Sequence, residues 1–204
     1  MAKLEILTYP NPLLREVAQP IEQFTPEVVT KLKKLAEDML ETMYDANGIG
    51  LAAPQVGELI RMLVIDCRSK GDSGRYEIDD MTELEQGVTQ PLVLINPVIV
   101  KGEGKTTFDE GCLSVPSFFE TVERFEKVEV KAYDVNGKEV RFTTDGLLAI
   151  VVQHEMDHLE GTLFIDHISF TKSNKIKNTI KKSGYPTKEE MASARDRKKE
   201  PVKS

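Results

Sequence analysis

The stretch GLLAIVVQHEMDHLEG, residues 146–161, decides how the rest of the chain is read. Apolar residues fill its first half, and the run predicts a helix from about Thr144 to Glu160, closed by Gly161 as a C-terminal cap. The chain has 3 histidines, and two of them, His154 and His158, stand four apart in this helix with Glu155 directly after the first. Residues four apart lie on one helix face, one turn above each other. His154 and His158 can therefore offer two imidazole nitrogens to one ion. Leu147 and Val151 continue that face toward the N-terminus, so the face is expected to be buried, with the ion at the floor of an apolar site. Glu155 can point at a water on the metal. This is the His-Glu-x-x-His arrangement, two ligands and one general base on a rigid helix.

Two histidines do not complete a site, because a catalytic metal commonly has three protein ligands and an open position. The residues that could supply the third are Cys112, Cys67, His167 and Asp166. Cys67 ends an apolar run and reads as a small buried hydrophobe. Asp166 and His167 fall in TLFIDHISF, which reads as a last strand, with both at its edge. Cys112 sits in DEGCLSVPS, between a glycine and a turn bounded by proline, with Glu110 nearby. Beside the metal helix, Cys112 is the favoured ligand.

Further out, Thr25-Pro26 opens a helix that runs to about Asp45, with Val28, Leu32, Leu35, Met39 and Met43 at helical spacing. NPLLREVA predicts a short helix. GIGLAAPQVG reads as a loop bounded by glycines. IRMLVIDC and PLVLINPVIV read as buried strands, and VEVKAYDVNGKEVRFTT as a hairpin turning at Asn136-Gly137. Helices and strands are mixed around an antiparallel hairpin, which makes the fold class α+β rather than a parallel array.

Two segments stand apart by composition. Residues 68–90 are polar and acidic and are expected to be a flexible insertion. From Thr171 to Ser204 there are eleven Lys or Arg against four Asp or Glu, a net +7, which leaves 16 against 30, or −14, for the first 170 residues of a chain with net charge −7. The expected division is a catalytic domain over 1–170 and a basic C-terminal tail over 171–204, with a short helix stopped at Gly184 and Pro186. Such a tail suits an anionic partner. No run of apolar residues is long enough for a membrane helix, no secretory leader is read at the N-terminus, and two cysteines make no disulfide framework, so the expected compartment is the cytoplasm.

GIGLAAPQ at 48–55, EGCLS at 110–114 and QHEMDHLEG at 153–161 together resemble the three motifs of the peptide deformylases, and the likeness runs from about Leu4 to about Phe170. The resemblance implies small antiparallel or mixed sheets packed around a central metal-binding helix. It implies one divalent metal ion per chain held by Cys112, His154 and His158, with Fe²⁺ the usual metal and Zn²⁺ or Ni²⁺ as substitutes. It makes Glu155 the general base and acid. It gives the Gln55 side-chain amide and the Leu113 backbone N–H the oxygen of the formyl group, and Gly50 a hydrogen bond to the substrate backbone. The implied reaction removes the N-formyl group from the initiator methionine of new bacterial or organellar proteins and releases formate. Ile49, Leu147, Ile150 and Val151 are expected to line the methionine pocket, and Glu110 is placed with the substrate-contacting residues. The resemblance also suggests ribosomal RNA or protein as the partner of the basic tail, in bacterial cytoplasm.

One departure from the family pattern is visible. Many members carry an arginine three residues after the proline of the second motif, where VPSFFETVER has Phe119. Two other functions fit part of the pattern. One is an endopeptidase of the His-Glu-x-x-His type, whose third ligand commonly follows the helix. The other is a non-catalytic, ribosome-associated protein with a structural metal, which usually has four protein ligands.

Overall fold

The computed structural model describes residues 3–68 and 81–186. After a 3-10 turn at Pro12–Arg15 comes α1 (Pro26–Asp45), then β1 (Gly50–Ala52), a 3-10 turn at Ala53–Val56 and β2 (Met62–Ile65). There follow α2 (Glu83–Gln86), β3 (Leu92–Glu103), β4 (Thr106–Cys112), β5 (Val115–Arg124), β6 (Lys127–Tyr133) and β7 (Glu139–Thr144). The chain closes with α3 (Gly146–Leu159), a 3-10 turn at Phe164–Asp166 and α4 (Phe170–Ser183). Strands β1-β2-β3-β6-β7 form one antiparallel sheet in that order, and β4 and β5 pair as a separate two-stranded sheet. The fold is α+β.

Side-chain alternation along β2 explains the layering. Leu63 and Ile65 face one core with Leu148, Ala149, Val152 and Leu159 of α3, while Met62 and Val64 face another with Leu32, Ala36, Met39 and Met43 of α1. The sheet is therefore covered on both faces at β2, and a strand buried on both faces reads as the unbroken apolar run MLVI. Helix α1 is capped as its sequence demands: Thr25 accepts from the Val28 N–H at 3.3 Å and Pro26 fills the first turn. Helix α3 is buried over most of its circumference, as a helix inside a domain must be when it is apolar nearly all round. It ends at Gly161 with φ 67°, the left-handed closure that glycine permits.

The start of α3 depends on a distant segment. The Glu85 carboxylate is fully buried and accepts from the Leu148 N–H at 2.9 Å and the Thr82 N–H at 2.8 Å. Thr82 also donates its hydroxyl to Asp145, just before the helix. A negative charge here satisfies backbone donors and opposes the positive end of the helix dipole. Part of the acidic stretch expected to be a flexible insertion is thus structured: residues 81–90 contain α2 and the carboxylate that caps α3. Residues 69–80 of that stretch lie outside the described residues.

The C-terminal part also departs from expectation. TLFIDHISF is not a strand. Asp166 turns back to accept from the Leu163 N–H at 2.9 Å, which closes a 3-10 turn, and Ser169 then caps α4. The apolar residues that suggested a strand, Leu163, Phe164 and Ile165, fill a third core with Val115 and Val122 of β5 and with Ile176 and Ile180 of α4. The helix expected within a basic tail is packed on the body, stops before Gly184 as its sequence suggests, and is followed by Tyr185, which donates its hydroxyl to the Tyr9 carbonyl at 2.8 Å. Residues 187–204 lie outside the described residues. Strands β4 and β5 have no counterpart in the sequence reading, because their apolar residues are interspersed with charge in no clean period.

Replacing Glu85 with alanine should lower stability by about 2–3 kcal/mol, since it strands buried backbone donors at the head of α3. Urea denaturation measures this, and a midpoint unchanged from wild type would refute the capping role.

Candidate metal centre and active site

Cys112 is the last residue of β4, at the tight connection into β5, where the ladder slips from Gly111–Phe119 to Cys112–Val115. That slip turns the thiol toward α3. The ligand atoms of Cys112, His154 and His158 all lie within 4.8 Å of one another, and Cys112 Sγ is 3.3 Å from His158 Nε2. One thiol and two imidazoles suit a divalent transition metal, and three protein donors leave a coordination position for a small ligand. These residues could hold a metal ion.

His154 is oriented from behind. Its Nδ1 lies 2.8 Å from Glu110 Oε2, and Arg124 grips the same carboxylate with Nε to Oε1 at 2.7 Å and Nη2 to Oε2 at 2.9 Å. Burial would raise the Glu110 pKa, but hydrogen bonds from Arg124 and His154 outweigh it and hold the group down at about 2. An ionised carboxylate accepts, so Nδ1–H of His154 donates and its Nε2 is left for a metal. The chain of contacts continues outward, with Arg124 Nη1 to Asp157 Oδ2 at 2.7 Å and His167 Nε2 to the same oxygen at 2.7 Å.

Glu155 follows His154 on α3. It is buried, and its Oε2 has no hydrogen-bond partner among the described residues. Burial raises its pKa to about 7. The carboxylate rests on β1. A Cβ at Gly50 would come within 2.8 Å of Glu155 Cγ and Cδ, so glycine here makes room for the carboxylate. Gln55, in the turn after β1, accepts from the Ala52 N–H at 2.7 Å, donates to Ser114 Oγ at 3.1 Å and lies 3.6 Å from Cys112 Sγ.

These groups share a cavity of about 480 Å³, bordered by Ile49, Gly50, Gln55, Leu113, Leu147, Ile150, Val151, His154 and Glu155 among others. The residues expected from sequence to hold metal, formyl oxygen and methionine are thus brought together. Glu110 borders the cavity too, but its oxygens are taken by Arg124 and His154, so its carboxylate supports His154 rather than reaching for a substrate. The other residues weighed as a third ligand lie elsewhere. Cys67 is fully buried in the core, where burial pushes its thiol pKa up. Asp166 pairs with Arg15 and Lys177, and His167 bonds Asp157. Arg124 was not singled out from sequence, because nothing local marks one arginine in an exposed-looking strand as buried.

Arg124→Ala leaves Glu110 as a buried, unpaired charge and should cost about 3–5 kcal/mol. The sign with pH follows from the depressed Glu110 pKa. Its contribution is complete above the ordinary 4.5 and is lost as pH falls toward about 2. Denaturation of wild type and Glu110→Gln across that range checks this, and the two should converge in acid. Gly50→Ala should keep the fold but displace Glu155, with a loss of turnover of about a hundredfold, read by steady-state kinetics beside metal content.

Comparison with known proteins places this geometry. The chain matches the family described as polypeptide deformylase over residues 3–174. It is 47% identical over 182 residues to the peptide deformylase of Alkalilimnicola ehrlichii, covering 89% of this chain and 91% of that protein. It is 44% identical to the peptide deformylase of Neisseria meningitidis, covering 89% of this chain and 96% of that one. Among solved structures, a peptide deformylase from Legionella pneumophila superposes with a TM-score of 0.72 at 38% identity, covering 98% of this chain and 100% of the other. One from Ehrlichia chaffeensis in complex with actinonin gives 0.75 at 35% identity, covering 91% and 100%. With the family matched over most of its length and relatives of this identity aligned nearly end to end, the chain belongs to the polypeptide deformylase family.

Proposed function

We propose that this chain removes the N-formyl group from the N-terminal methionine of newly made polypeptides and releases formate, with Cys112, His154 and His158 as metal ligands and Glu155 as general base and acid. The observation that carries the assignment of roles is the convergence of those three ligands, with Cys112 and His154 bordering an apolar cavity that also holds Glu155, a buried carboxylate with an unpartnered oxygen. The ion is one divalent metal per chain, Fe²⁺ first and Zn²⁺ or Ni²⁺ as substitutes, since a thiolate lowers the net charge of the site and softens it. When bound, it supplies Lewis acidity that makes water a nucleophile near neutral pH and polarises a carbonyl.

The protein's own groups do the remainder. Glu155 takes a proton from the attacking water as that water adds to the formyl carbon, and returns it to the amine nitrogen as the C–N bond breaks. Burial pushes its pKa above the ordinary carboxylate value, which favours the protonated form it needs in order to return a proton. The Gln55 amide, held by Ser114, and the Leu113 backbone N–H would donate to the oxyanion that develops on the formyl oxygen. Gly50 lies in the edge strand of the main sheet, where a substrate backbone can pair. Ile49, Leu147, Ile150 and Val151 would enclose the methionine side chain.

Neither other function suggested by the sequence is favoured by the family match. The endopeptidase reading lacks a third ligand after the helix among the described residues, and a closed structural site would leave Glu155 and the cavity without a use. The cytoplasmic location of this reading accords with the absence, among the described residues, of a helix long and apolar enough to cross a membrane. A ribosomal partner would meet α4, where Lys175, Lys181 and Lys182 are exposed, through contacts that weaken with salt.

The test is formate release from formyl-Met-Ala-Ser by protein purified without oxygen, with metal content measured in parallel. Wild type should turn over with about one metal per chain. Glu155→Gln should keep the metal and lose about 10²- to 10⁴-fold in turnover, and Cys112→Ser should lose metal. Full activity in Glu155→Gln, or no formate from a metal-loaded wild type, would sink the assignment.

A further inference from the structure

Leu113 and Ser114 form the two-residue turn between β4 and β5, closed by the pair Cys112–Val115. This short turn gathers several groups of the site. Cys112 Sγ accepts from the Ser114 N–H at 3.4 Å, and Ser114 Oγ accepts from the Gln55 amide at 3.1 Å. Leu113, whose N–H is assigned to the oxyanion, is the residue between Cys112 and Ser114. The turn is pinned through the carbonyl of the fully buried Ser114, which accepts from the Tyr9 N–H at 2.8 Å. Tyr185 completes the contact. Its hydroxyl donates to the Tyr9 carbonyl at 2.8 Å and lies 3.4 Å from the Ser114 carbonyl oxygen, so one hydrogen serves two converging acceptors. Its ring stands edge-on to Phe118 of β5, with centroids 6.3 Å apart. Tyr185 follows the end of α4 by two residues, and the family match, which covers residues 3–174, does not reach it.

We propose that Tyr185 is a positioning residue for the reaction: its hydroxyl fixes the Ser114 peptide and, through it, the Cys112 thiolate and the Gln55 amide. This deepens the deformylase reading and rests on it. Without the shared hydrogen, two carbonyl dipoles converge on an unfilled position, and the peptides that carry them turn apart. An N–H donated to a thiolate withdraws charge from the sulfur, so a turned Ser114 peptide changes how strongly Cys112 donates to a metal. The same turn moves Ser114 Oγ and loosens the Gln55 amide that it holds. Methionine binding is spared, because Ile150 and Val151 are carried by α3 and not by this turn. The effect therefore falls on the chemical step and on the metal rather than on substrate affinity.

The experiment compares wild type, Tyr185→Phe, which keeps the ring against Phe118, and Lys182→Ala as a control on the exposed side of α4. Each full-length protein is loaded with Co²⁺. The thiolate-to-cobalt charge-transfer absorption, the rate of Co²⁺ release to excess chelator, and kcat and KM for formyl-Met-Ala-Ser are recorded. In Tyr185→Phe the band should shift and Co²⁺ should leave about three- to tenfold faster, below the roughly 10- to 100-fold expected on removing a direct partner of a metal ligand. Its kcat should fall about three- to tenfold with KM within about twofold of wild type, and Lys182→Ala should match wild type throughout. A band and release rate in Tyr185→Phe equal to those of wild type overturn the positioning role even if the variant melts at a lower temperature, because a contact that only held the C-terminal end would move stability alone. A loss confined to KM overturns it as well. No formate from wild type, with the band still shifted in Tyr185→Phe, sinks the deformylase reading and leaves the hold on the thiolate supported.

Discussion

A buried charge must be paired, and the Glu110–Arg124 ion pair is where that constraint acts most strongly on this molecule. Two fork contacts of 2.7 and 2.9 Å bind a guanidinium and a carboxylate that are both nearly excluded from solvent. Without Arg124 the carboxylate would lose the partner that compensates its charge, and the acceptor that fixes Nδ1 of His154 would be destabilised. Glu110 lies two residues before Cys112 on β4, and Arg124 ends β5. The pair thus locks the two-stranded sheet to α3 and sets the thiol and the imidazole relative to each other.

Polar groups inside an apolar helix are tolerated here because each has a structural reason. Helix α3 packs Leu148, Ala149, Val152 and Leu159 against the sheet, turns His154 and Glu155 toward the cavity, and brings His158 beside Cys112 at the end of β4. Gln153 donates from Nε2 to the Phe125 carbonyl and accepts from the Phe125 N–H, both at 2.9 Å, which ties the same helix to the connection between β5 and β6. Glu155 and His158 are the exceptions among the described residues of this helix: Glu155 Oε2 and His158 Nδ1 are buried without a hydrogen-bond partner, which costs stability.

The cavity takes its shape from two strand edges. Strand β1 presents Gly50, after Ile49, on one side and β4 presents Gly111 and Cys112 on the other, and their glycines leave room for neighbouring side chains, Glu155 at Gly50 and Phe119 at Gly111. The inner part is aliphatic and the rim aromatic. Helix α4 is not an appendage to this arrangement. Ile176 and Ile180 share a core with Val115, on the far side of the turn from Cys112, so the C-terminal helix helps support the strand on which the thiol is carried.

Features that depend on near neighbours along the chain are legible in the sequence. His154, Glu155 and His158 fall on one helix by a spacing of four, Thr25-Pro26 starts α1, and Gly161 and Gly184 end their helices with positive φ. The motif likeness adds Cys112 and Gln55 to that set. Features that depend on distant parts of the chain are not legible in this way. Cys112 and His158 are 46 residues apart, and only the β4–β5 slip explains why the thiol faces the helix. In sequence, Glu85 is one acid among many in a polar stretch, Arg124 one arginine in a stretch of mixed charge with no clean period, and Glu110 a substrate contact. The apolar run at 163–165 has the pattern of a strand, and it is the core offered by α4 and β5 that makes it a buried turn instead. The sequence by itself determined that His154, Glu155 and His158 are candidates for the chemistry and that one helix presents them, because helical periodicity is a local property of the backbone. Tertiary structure alone decided how those residues are paired, oriented and buried, because desolvation and ion pairing depend on groups that only folding brings into contact.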